Sequence, residues 1–115
     1  MASIEECRSA LDRLSQNLTR AQGPARDAAA LDRSLSCRIT DLDVTFTGRL
    51  AAGRVTGVEV VPGPPDERAQ IRLTMSGDDL VDLVDGRLDF ARAWATGRVK
   101  LEAGFRDLIR LRTLL

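Results

Sequence analysis

Hydrophobic periodicity changes twice along this chain, and the two changes limit the folds open to it. From Ile4 to Leu18 the apolar residues recur at helical spacing. Ile4, Cys7, Leu11, Leu14 and Leu18 make one stripe, with Glu5, Arg8, Asp12, Arg13 and Gln16 on the other side. From Leu35 to Met75 the period is two. Leu35, Cys37 and Ile39 alternate with Ser36, Arg38 and Thr40, and Val44 and Phe46 alternate with Thr45 and Thr47. Val58 and Val60 follow a turn around Gly53, and Ile71, Leu73 and Met75 alternate with Arg72 and Thr74. Helical spacing returns at Ser76. Strands with one polar face each, flanked by helices, predict an α+β domain: a single sheet, read here as an antiparallel meander, covered on one face by helices. At 115 residues the chain is expected to form one domain, residues 1–115.

Local signals place the element ends. Ser3 and Glu6 make a capping box for the first helix, which Gly23-Pro24 ends. Pro24 suits the first turn of a second, alanine-rich helix through Ala25–Arg33, with Leu31 as its one large apolar anchor. Pro62-Gly63-Pro64-Pro65-Asp66 is expected to be a loop, because proline cannot sit inside a sheet. Ser76 and Asp79 form a second capping pair ahead of the buried stripe Leu80, Leu83 and Val84, and Gly86 is placed as a left-handed stop. Asp89 is a candidate cap for a short helix carrying Phe90, Ala93 and Trp94, which stops at Gly97. A strand then runs through Arg98–Glu102 with Val99 and Leu101 inward, and Gly104 breaks it. In the last helix, Phe105–Leu115, a helical wheel gathers Phe105, Leu108, Ile109, Leu111 and Leu115 on one face. Arg106, Asp107 and Arg110 fall opposite. Arg112 lies within the apolar face, where a cation at a helix C-terminus is favoured and its stem can snorkel.

The residues that are missing narrow the chemistry. With no histidine the chain excludes Ser-His-Asp and Cys-His catalysis and His-ligated metals. Cys7 and Cys37 are too few for a four-cysteine zinc site and read as buried free thiols of a reducing compartment. The pairs Glu5-Glu6 and Asp78-Asp79 are adjacent on helices, so their carboxyls do not face each other and capping explains them better than acid–base work. No catalytic residue, metal or cofactor is expected. Seventeen basic and seventeen acidic residues cancel, which argues against nucleic acid as a partner. The acidic run Asp78, Asp79, Asp82, Asp85 and Asp89 nevertheless contrasts with the basic Arg98, Lys100, Arg106, Arg110 and Arg112. Such segregation is able to steer transient docking on an anionic membrane. No apolar run reaches the ~20 residues of a membrane span, and Glu5 and Glu6 stand where a secretory leader would be apolar.

Between Gly86 and Gly97 lies a ten-residue insert holding an aromatic pair, and a basic strand and an amphipathic helix follow. Gly86-Arg87-Leu88, Trp94, Gly97-Arg98-Val99-Lys100-Leu101 and Gly104 match, in order and spacing, the signature of the sterol carrier protein 2 family. The run Ala69–Met75 into Ser76-Gly77-Asp78-Asp79-Leu80 also resembles that family, and the likeness spans about Leu35–Leu115. The resemblance implies a mixed, mainly antiparallel five-stranded sheet covered on one face by helices, with an apolar cavity between them. It implies a non-catalytic carrier of a fatty acid, acyl-CoA, isoprenoid or sterol-like lipid. Candidate lining residues are Leu80, Leu83, Val84, Phe90, Trp94, Val99, Leu101, Phe105, Leu108 and Ile109. The arginine-rich composition reads as GC-rich coding, and Arg112-Thr113-Leu114-Leu115 differs from the peroxisomal Ser-Lys-Leu address. A stand-alone bacterial, cytoplasmic member is therefore expected, with a homodimer open to it. The alternative is a structural or protein-interaction module of the same fold whose apolar stripes simply fill its core.

Overall fold

In the computed structural model the residues described are 2–19, 32–51, 54–65 and 67–111, the side chains of 17–19 and 110–111 excepted. Among them are four helices, α1 (Ile4–Thr19), α2 (Gly77–Val84), α3 (Phe90–Ala95) and α4 (Phe105–Leu111). The strands are β1 (Arg33–Ile39), β2 (Val44–Ala51), β3 (Arg54–Pro62), β4 (Ile71–Met75) and β5 (Lys100–Ala103). Most of the helix expected at Ala25–Arg33 and the turn at Gly53 lie outside the described residues. Arg33 itself opens β1.

The sheet order is β3-β2-β1-β4-β5. Only β1–β3 form the expected meander. β4 crosses over to pair with β1 in parallel, and β5 returns antiparallel beside β4. A mixed sheet results, as the family likeness implied. Period two marks the faces of a strand, but alternation carries no information about which strand lies next to which. Pro62 corrects one expectation: it is the last residue of β3, paired opposite Val44. An edge strand tolerates a proline at its end, because no neighbour needs the missing N–H.

Register aligns the apolar residues on one face. Cys37 stands between Phe46 and Leu73, and Ile39 between Val44 and Met75. α1 lies over this face and packs against α2 and β3. Its capping box forms as expected, with Glu6 N–H donating to Ser3 Oγ at 3.1 Å and Ser3 N–H to Glu6 Oε1 at 3.2 Å. Cys7, Ala10 and Leu11 are buried in the core with Cys37, Ile39, Phe46, Met75 and Leu80. Ile4, assigned to the same stripe, is 39% exposed at the helix start. Ser76 caps α2 through Oγ, which accepts from Asp79 N–H at 3.1 Å. α2 approaches α1 and β1 so closely that a Cβ on Gly77 would stand 3.1 Å from Cys7 Sγ and 3.2 Å from Ala2 Cβ. The opposite, polar face of the sheet is partly covered. Thr45 is fully buried there and donates through Oγ1 to Gly63 C=O at 2.7 Å. None of the described helices is long and apolar enough to cross a membrane.

Candidate functional site

Two of the chain's Gly-Arg-apolar tripeptides, those at Gly86 and Gly97, follow helices and make the same turn. At the end of α2, Gly86 N–H donates to Leu83 C=O at 3.2 Å and Arg87 N–H to Asp82 C=O at 2.8 Å. At the end of α3, Gly97 N–H donates to Trp94 C=O at 3.2 Å and Arg98 N–H to Ala93 C=O at 2.9 Å. Both are Schellman caps, and both glycines sit in the left-handed region, with φ of 79° and 82°. Each turn points its apolar residue back inward, Leu88 half-buried and Val99 fully buried. The arginines stay outside and pair with acids of α2 and its cap. Arg87 meets Asp85 at 2.6 Å and Asp82 at 3.8 Å, and Arg98 meets Asp79. Hydrogen bonds from Arg87 and then Arg13 hold the Asp85 carboxyl below its ordinary range. Asp89 occupies the N-cap position of α3, but its side chain makes no capping bond.

These turns place the first group of expected lining residues along the main core. Leu80 and Val99 are buried within it, and Leu83, Val84 and Phe90 pack half-buried at its margin. The Trp94 ring is half-buried, 6.2 Å from the Phe90 ring at a tilt of 53°. Leu101 belongs to a separate apolar cluster at the other end of the sheet. There Leu50 and Ile71 are buried, and Leu35, Val55, Leu101 and Ala103 are half-buried around them.

α4 departs from its helical wheel. Asp107, expected toward solvent, is buried, 8% exposed, and accepts from Arg33 Nε at 2.9 Å. Phe105 and Ile109, expected to line a cavity, are 78% and 52% exposed, and Leu108 is half-buried. The cause is the ion pair. A buried carboxylate requires a cation, the first residue of β1 supplies it, and the pair pins the Asp107 side of the helix down. The side chains of Arg110, Leu111, Arg112 and Leu115 lie outside the described residues.

The expected lining set is therefore spread over two clusters and an exposed helix face. Sequence reasoning identifies Leu35 and Ile71 as strand positions but misses their convergence; they face each other across the parallel β1–β4 pair, with Ala103 next in register. It also misses a groove of about 470 Å³ beside Ala103, walled further by Arg68, Gln70, Arg72 and Asp107. Nothing in the spacing of those residues marks them. The two thiols are free and buried. Burial first, then the charges of Asp41, Glu6 and Asp78, push Cys7 up to about 11. Burial and the neighbouring Cys7 push Cys37 up to about 12. Neither thiol is a nucleophile at neutral pH.

The model of the SCP-2 sterol transfer family matches residues 11–108. The chain belongs to that family. Among solved structures it is similar to the sterol carrier protein domain 2 of Helicoverpa armigera, with a TM-score of 0.68 and 15% identity over 98% of this chain and 89% of that one. It is similar to palmitated SCP2L2 from Aedes aegypti, with a TM-score of 0.58 and 11% identity over 98% of this chain and 94% of that one. It also resembles part of the stereoselective inverting sec-alkylsulfatase Pisa1 from Pseudomonas sp., with a TM-score of 0.57 and 23% identity over 90% of this chain but only 16% of that one. The SCP-2 fold thus occurs both as a whole protein and as a small part of an enzyme chain. At these identities the likeness shows the fold alone. No curated protein matches the chain in sequence.

Proposed function

We propose that this SCP-2 family chain binds and carries a hydrophobic small molecule, a fatty acid, acyl-CoA, isoprenoid or sterol-like lipid, in the cytoplasm without transforming it. The observation that carries this reading is the second apolar cluster. Leu35, Val55, Leu101 and Ala103 stay half-buried around Leu50 and Ile71, and Ala103 borders an open groove. The palmitated state of the Aedes aegypti relative supports an acyl chain as the class of cargo. At ~0.8 kcal/mol per methylene, a twelve-carbon chain would gain roughly 10 kcal/mol against water before association costs. Most of that gain vanishes against a bilayer, which is what exchange with membranes requires. The exposed Phe105 and Ile109 support such transient contact. The raised thiol pKa values and the absence of histidine support a carrier over an enzyme.

Native mass spectrometry of gently purified protein, followed by thermal-shift titration with fatty acids, acyl-CoAs and isoprenoids, tests the reading. A ligand at a hundredfold over its Kd adds about 2.7 kcal/mol. A domain of this size then unfolds about 10 °C higher. No lipid adduct and no shift with any class would end the proposal. The same exposed pair on α4 favours a second reading, an interaction module or homodimer joined through that face. Sedimentation of the wild type and of Phe105→Ser decides it, since a dimer held there must dissociate in the variant.

A further inference from the structure

We infer that the groove beside Ala103 is the head-group site of an anionic amphiphile, with Arg68 as its principal contact; the inference rests on the carrier reading and specifies the cargo's polar end. Three of the groove's walls are fixed by hydrogen bonds, two of them from outside the groove. Gln70 and Ser34 exchange two bonds, Gln70 N–H to Ser34 Oγ at 2.8 Å and Ser34 N–H to Gln70 Oε1 at 3.1 Å. Arg72 folds back and donates to Ala69 C=O at 2.8 Å. Asp107 is fixed by Arg33 at 2.9 Å. The groove is therefore formed before anything enters it, which lowers the ordering cost of binding.

Its charge selects the occupant. Asp107 is the one acid in the wall, and Arg33 already neutralises it. Among the described residues the acid paired with Arg72 is Glu102, at 3.9 Å, and 42% of the Glu102 side chain is exposed. Arg68 is exposed and has no hydrogen-bond or ion-pair partner among the described residues, so its guanidinium is free to meet a carboxylate or phosphate oxygen, in the two-pronged geometry arginine favours. Ala103 joins the two halves of the site: it lines the groove and also belongs to the apolar cluster with Leu35, Ile71 and Leu101. A molecule with its anionic end at Arg68 and its tail toward Ala103 meets a cation first and hydrocarbon next.

Titration of cis-parinaric acid and of its methyl ester, read by polyene fluorescence, tests this in the wild type, Arg68→Gln and Arg68→Lys. Arg68 makes no bond among the described residues, so the variants remove none of the contacts described above. The acid is expected to bind about three- to tenfold more tightly than the ester, as one charge-assisted contact at a wet surface allows. The ratio should shrink as salt is raised, fall to near one in Arg68→Gln and recover in part in Arg68→Lys. Displacement by palmitate and by palmitoyl-CoA separates the two anion sources. If the groove takes phosphate, palmitoyl-CoA competes better and is the ligand most weakened by Arg68→Gln; if it takes carboxylate, palmitate is. Equal affinity of the wild type for acid and ester, or an unchanged ratio in Arg68→Gln, overturns the inference and leaves the carrier reading intact. Binding of neither probe overturns both.

Discussion

Raising the pH from 8 to 10 isolates the two thiols more cleanly than in most proteins, because of what the sequence lacks. There is no histidine and no tyrosine, and the single lysine, Lys100, is exposed. Between those pH values the side chains whose ordinary pKa falls inside the window are Cys7 and Cys37. In the unfolded chain both ionise around 9.0, and in the folded protein only near 11 and 12. A group whose folded pKa is raised contributes stability in full below its unfolded pKa and loses it as the pH climbs toward the folded one. Each thiol therefore steepens the loss toward about 1.4 kcal/mol per pH unit above pH 9. Integrated to pH 10, the two together remove roughly 2.5 kcal/mol. The thermal midpoint should fall by about 10 °C for a chain of this length. The assay is far-UV circular dichroism during heating, in reductant, at half-unit pH steps. Cys7→Ala with Cys37→Ala should be less stable throughout, from the vacated volume, yet show a nearly flat profile over the same range. A wild-type profile as flat as that of the double variant, or a double variant as steep as the wild type, would refute the assignment of the slope to these thiols.

Gly77→Ala should cost about 1–3 kcal/mol in urea unfolding, since its methyl would press on Cys7 Sγ and Ala2 Cβ and force α1 or β1 to give way. Stability equal to wild type would mean that the contact is loose. Gly86→Ala and Gly97→Ala each meet open space, so their cost is that of the left-handed backbone alone, about 1 kcal/mol apiece and additive in the double variant. A much smaller loss in either would show that the Schellman turn reshapes without its glycine. Arg33→Gln leaves Asp107 buried without its cation and should cost about 1–2 kcal/mol. Hydrogen exchange should then rise in Phe105–Leu111 and stay unchanged in α1, whereas equal protection in α4 would exclude the ion pair as its anchor.

Which parts of the fold are legible follows from the range of each signal. Ser3 with Glu6, Ser76 with Asp79, and the glycines at 86 and 97 act within six residues of themselves, and all of them form as expected. The same holds for the faces of the alternating strands, since Leu35, Cys37 and Ile39 need only their own pleat to share a side. The parallel seating of β4 against β1 joins residues 36 apart, such as Leu35 and Ile71, and no property of either segment alone encodes it. The groove is a product of that seating. Gln70 reaches Ser34 and Asp107 reaches Arg33 only after β4 and β5 have taken their places in the sheet.

The last helix shows why the candidate site is harder to read than the fold. A helical wheel assumes that the apolar face turns inward, which holds when hydrocarbon burial outweighs every other contact open to the helix. Here the inner position goes to a carboxylate, because an arginine 74 residues earlier in the chain stands ready to bond it. The reach of that pair leaves Phe105 and Ile109 on the outside. A chain that only had to fold would gain by turning those side chains inward, at about 25 cal/mol for each Å² of apolar surface removed from water. Holding them out at that cost is intelligible if the face meets hydrocarbon that is not part of the protein. The carrier proposed above, with cargo and membrane approaching from the same end of the sheet, would supply that hydrocarbon.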